Sequence, residues 1–141
     1  MRRGLEDRDG VAIDLLNLTV TSIARGLAEP AREKLREAHL IANELGSKKL
    51  AQAVLDAATG LAASVGQMDL AARWYGASSA QMMEIGMQRE PAVESFLSPC
   101  VARAREALGD AGFASSQREG SLLSLDQAMA AVGAWLAPAV A

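Results

Sequence analysis

The sequence predicts an all-α protein, an antiparallel α–α superhelix of helical hairpins closed by a C-terminal helical cap. Three observations carry that expectation. Half of the 141 residues are apolar, Ala and Leu dominate them, and only five are aromatic, a composition suited to closely spaced helices. Shifting the chain by 40 residues places Gly26 on Gly66, Ala31 on Ala71, Leu35 on Tyr75 and Leu45-Gly46 on Ile85-Gly86 without a gap, which is an internal repeat. Each copy reads as a helix ending near the first glycine, a short turn, and a second helix ending at the next, as a positive φ at a helix C-terminus requires.

The elements follow in order. A first helix is expected over 9–25. Glu29-Pro30 puts proline at the start of a second, 30–45, and Glu90-Pro91 does the same for a fifth, 91–108. Ser47 and Asp69 are placed to cap a third helix, 48–65, and a fourth, 69–86. A further helix is expected over 110–119, and Ser124 with Gln127 forms a capping box opening the last, 124–136. Ala31, Ala38, Ala57, Ala58, Ala62, Ala71 and Ala72 let backbones approach, while Leu35, Leu55, Trp74 and Tyr75 fill the gaps between. One hairpin alone cannot bury its apolar faces, and stacked hairpins can. The expected organisation is therefore one domain over 1–141, with repeats at about 10–46 and 47–86 and a helical cap over 91–136.

Charge and composition narrow the function. The net charge is −3; residues 1–50 hold nine basic and eight acidic side chains, and 51–141 hold five and nine. Neither half has the concentrated basic face that phosphate backbones demand, so direct nucleic-acid binding is not expected. The N-terminus lacks the apolar core of a signal peptide and no later stretch is long and apolar enough to span a bilayer, which makes a cytoplasmic protein without a membrane partner the expectation. Cys100 is the only cysteine, so an internal disulfide or a cysteine-based zinc site is excluded.

Within 13–46, Leu15, Asn17-Leu18, Gly26, Ala31, Leu35 and Ala38 fall at the spacing of the tetratricopeptide signature, and Leu55, Gly66, Ala71 and Tyr75 repeat it. The sequence there resembles that family, with a longer period and with Thr19 and Thr59 where the family has a small Gly or Ala. Ala71-Ala72-Arg73-Trp74-Tyr75-Gly76-Ala77, Ala104-Arg105-Glu106-Ala107-Leu108-Gly109, Phe113, Glu119-Gly120 and Leu123-Ser124-Leu125-Asp126-Gln127-Ala128 are similar to the C-terminal tails of large bacterial regulators. These are the LuxR-type ATP-dependent transcriptional activators and the class III nucleotide cyclases, and the likeness covers about residues 10–135. Their ATPase, cyclase and DNA-binding modules lie outside the repeats, and this sequence has neither a phosphate-cradling G-x-x-x-x-G-K-[ST] nor a basic recognition helix. The resemblance implies a sensing or docking part of a signalling or transcriptional regulator.

The chemistry-bearing residues are few. His39 is the only histidine, and no nucleophile is set on an elbow motif, so catalytic, cofactor and metal sites are not expected and the chain reads as a non-enzyme. Cys100 falls among Phe96, Leu97, Val101 and Ala104 and reads as a buried small hydrophobe. The run Arg32-Glu33-Lys34-Arg36-Glu37 mixes signs at helical spacing and reads as a solvated face. Met82, Met83 and Met87 gather at the end of the fourth helix, as core filling or as an adaptable binding lip.

The first helix is the most informative. Apolar residues surround most of its axis, and Ile13, Leu16, Val20 and Ile23 map onto the concave side of the resembled family. An apolar face of that kind marks an interface. The occupant is a partner peptide, a second copy giving a homodimer, an upstream repeat, or the chain's own residues 91–136 folding back; a small ligand controlling oligomerisation is the alternative.

Overall fold

The structure is a computed structural model that describes residues 5–138; the ends of the expected domain, 1–4 and 139–141, lie outside the described residues. Six α-helices pack against one another: α1 (Leu5–Ala24), α2 (Ala28–Leu45), α3 (Lys48–Ser64), α4 (Met68–Ile85), α5 (Pro91–Ser121) and α6 (Leu125–Leu136). No strand occurs among the described residues.

Four of the helices end in the same way. Gly26, Gly46, Gly66 and Gly86 have φ of 75°, 60°, 81° and 69°. The residue after each glycine donates its N–H to the carbonyl five residues back, as in Leu27 to Ser22 (2.9 Å) and Gln67 to Ala62 (2.9 Å). Each glycine also donates to the carbonyl three back, completing a Schellman motif. The stops recur every 20 residues, so the 40-residue repeat is two helices that share one kind of C-terminus.

The helix starts are less uniform than the sequence implies. Ser47 Oγ accepts the Leu50 N–H at 3.1 Å, and the Ser124–Gln127 capping box is formed in both directions. Pro91 opens α5. However, α2 begins at Ala28 and α4 at Met68, with Leu27 and Gln67 at the N-cap and no side-chain cap at either. Pro30 is thus the third residue of its helix, and Asp69 lies inside the first turn instead of capping it. The Schellman turn leaves only one residue after each glycine before helical geometry resumes, which advances the start by two residues at α2 and one at α4. The two helices expected over 91–108 and 110–119 run together as α5, broken where Gly109 takes φ 75° and ψ 164°.

The core is centred on α3. Thirteen of its residues are buried, from Leu50 to Ala63, and it touches α1, α2, α4, α5 and α6; a helix apolar on all sides belongs in the interior. The buried hydroxyls of Thr19 and Thr59, 40 residues apart, donate to the carbonyls of Leu15 (2.7 Å) and Leu55 (2.9 Å) one turn earlier. That back-bonding lets a hydroxyl sit in the core without being orphaned.

The α4–α5 contact is closer still. A Cβ added at Gly76 would lie 2.0 Å from the Gln117 carbonyl oxygen, and one at Gly120 would lie 1.7 Å from that of Arg73. The two backbones meet only because both positions are glycine. Earlier in α5, the ring of Phe96 rests on Gly60 of α3.

After a short turn α6 packs on α2, α3 and α4. Ala128, Met129, Val132 and Leu136 enter the core, and Trp135 meets Trp74 edge to face at 4.6 Å.

Candidate interaction site

At 100° per residue, Ile13, Leu16, Val20 and Ile23 share one stripe of α1. The packing divides that stripe. Leu16 is buried in the core, and Val20 and Ile23 are half-buried, with Ile23 packed against it; Ile13 is 45% exposed. Leu16 thus lies at the buried base of the stripe, in the seam where α1 meets α3. Val11 and Leu18 are also exposed, but their spacing puts them on the opposite flank of α1.

Ile13 and Leu16 form one wall of a groove whose other wall comes from Leu50 and Ala53 of α3, with a volume of about 180 Å³. Asp9 stands at its rim on α1 and Lys49 on α3. Both are exposed, and neither has an ion-pair or hydrogen-bond partner among the described residues. The groove offers an apolar floor and two opposite charges at one end.

The methionines separate in the same manner. Met82 is buried in the last turn of α4, as the core-filling reading expects. Met83 is 83% exposed and Met87 48%. All three line a separate cleft of about 370 Å³ with Gln88, Arg89 and Glu94.

Beneath that cleft lies a polar network that local periodicity does not reveal. Arg89 Nε donates to Asp56 Oδ1 and Oδ2 at 3.2 and 3.4 Å, and its Nη2 donates to Ser78 Oγ at 2.7 Å and Ser79 Oγ at 3.2 Å. Ser78 Oγ donates in turn to Asp56 and accepts from Gln52 Nε2. The guanidinium also lies 4.9 Å from the centre of the Tyr75 ring and 3.8 Å from Glu94. Burial pushes the Asp56 carboxyl above its ordinary range, while the Arg89 charge and the Ser78 hydroxyl pull it back in part. Both side chains are at most 10% exposed, and the network ties the α4–α5 connection to α3.

A second set of polar contacts holds α6. Arg32 Nη1 donates to the Trp135 carbonyl at 2.8 Å, and Arg36 Nη1 to that of Leu136 at 3.4 Å. These are carbonyls of the last turn of a helix, where a cation is favoured. Arg32 also stacks over the Trp135 ring at 4.6 Å, whose indole N–H donates to Gln67 Oε1 at 2.8 Å. Arg32 and Arg36 are thus not a merely solvated face. His39 is buried, with Nε2 2.7 Å from the Met129 carbonyl, and Cys100 is buried in α5.

Among the described residues no three His, Cys, Asp or Glu side chains gather where they could hold a metal ion, and no helix is long and apolar enough to cross a membrane. No family model, curated protein or solved structure matches the chain.

Proposed function

We propose that this chain is a protein-interaction module of a bacterial signalling or transcriptional regulator, built as a tetratricopeptide-like α–α superhelix that binds through the α1–α3 groove. The observation that carries the reading is the pairing of exposed Ile13 with the apolar floor of Leu16, Leu50 and Ala53. An apolar groove between two helices accepts a partner helix or peptide without a catalytic group. The recurring Schellman stops and the equivalent hydroxyl bonds of Thr19 and Thr59 support repeats of the resembled kind.

A photo-crosslinking amino acid at Ile13, compared with one at Leu122, tests this in native cells. Leu122 is exposed in the turn before α6. Covalent adducts at position 13 but not at 122 are expected; the absence of any adduct at 13 would overturn the reading.

The alternative, a small-ligand sensor that controls oligomerisation, is supported by a wider cleft of about 380 Å³ where Ser47 and Ser124, two N-caps, meet Asn43, Gln81 and Glu84. Saturable stabilisation by one member of a metabolite panel would favour it.

A further inference from the structure

The groove carries a pattern that identifies its occupant. Asp9 and Lys49 are 40 residues apart, as are Ile13 and Ala53, and all four line the same groove. The repeat therefore presents opposite charges at one equivalent position and a large and a small side chain at the next. Moreover, α1 and α3 run in the same direction, since α2 alone turns back between them.

We infer that the occupant is a second copy of this chain, docked about a two-fold axis parallel to α1 and α3. This rests on the reading of the groove as an interaction surface. Rotation about that axis lays α1 of one copy over α3 of the other and keeps their directions parallel. Asp9 then faces the partner's Lys49, and Ile13 faces the partner's Ala53, each twice, as a two-fold interface requires. The large side chain of each copy enters the space left by the small one of the other. A two-fold axis perpendicular to the helices fails this condition, because it sends the charged ends of the two grooves to opposite ends of the interface. The inward pair is apolar and the rim pair is charged, the distribution of a specific protein interface. Among the described residues Asp9 and Lys49 have no ion-pair partner, so the association displaces no ion pair between them and those residues.

Sedimentation equilibrium and light scattering on the full chain test the inference. The chain should be a dimer at micromolar concentration. Asp9→Lys and Lys49→Asp should each weaken dimerisation by about tenfold or more, since each converts two rim attractions into repulsions. The double variant should recover to within about threefold of the original constant, a recovery that a non-specific change in charge would not produce. Both residues are exposed, and unchanged circular dichroism will show that the fold is intact. A chain that stays monomeric to high concentration overturns the inference, as does a dimer indifferent to the single changes or not restored by the double one. The crosslink at Ile13 separates the two claims: an adduct of some other mass, with a monomeric chain, defeats the second copy and leaves the interaction surface standing, whereas no adduct defeats both.

Discussion

Gly120 of α5 lies on the carbonyl of Arg73 in α4 so closely that a methyl group in its place would sit 1.7 Å from the oxygen. The obstacle is backbone, which cannot rotate aside as a side chain can. Gly120→Ala and Gly76→Ala should each destabilise the protein by about 3 kcal/mol, at the upper end of overpacking costs. Urea unfolding followed by circular dichroism measures this, and a loss under about 0.5 kcal/mol, within the range of ordinary surface changes, would contradict the close approach.

The Asp56–Arg89 network makes a second prediction. Removing one member strands the other in a buried site, so Arg89→Met should cost about 3 kcal/mol, whereas Asp56→Asn combined with Arg89→Met should cost less than the two single changes added together. A fully additive double-mutant cycle in urea would show that the two residues do not act as a pair.

The same carboxyl sets a pH dependence. Burial raises its folded-state pKa, so the folded chain holds the proton more tightly than the unfolded chain. Its contribution to stability is fully present below the ordinary carboxylate value of about 3.9 and is lost as pH rises through the raised value. Asp56→Asn should flatten that slope in urea midpoints collected across the acidic range. An unchanged slope would show that another group is responsible.

The arginines on α2 can be tested at α6. Arg32→Ala removes a charged donor from a terminal carbonyl and a cation from the Trp135 ring, for a loss of about 1–2 kcal/mol after allowing for partial exposure. Hydrogen exchange should quicken in α6 and leave the protected amides of α3 unaffected. Equal acceleration in both helices would mean that α6 does not open separately.

Much of the fold was legible because its punctuation is local. The left-handed glycines, Ser47, Pro91 and the Ser124–Gln127 box act within a few residues of themselves, and helical spacing identified the stripe on α1. The errors at Pro30 and Asp69 have the same root, since the Schellman turn resets the helix start whatever polar residue follows. By contrast, Asp56 and Arg89 are 33 residues apart, and Arg32 is 103 residues from Trp135. Periodicity carries no record of such meetings, so the buried network was missed and the arginines were read as solvated. The depth of Leu16 and Met82 escapes the sequence for a related reason: a helical stripe gives the direction of a side chain but not how far the neighbouring helix extends over it.

The clasp of α6 on α2 has a consequence for how this fold can change in length. After the turn that follows α5, the twelve residues of α6 must reach back to Arg32 and Arg36 while Trp135 touches Trp74 of α4. A duplicated helical pair inserted between α2 and α4 would move those anchors apart by roughly the 8–10 Å spacing of packed helices, beyond what one side chain spans. Helix α6 therefore acts as a ruler, and its reach fixes how many helices can lie between the ones it joins.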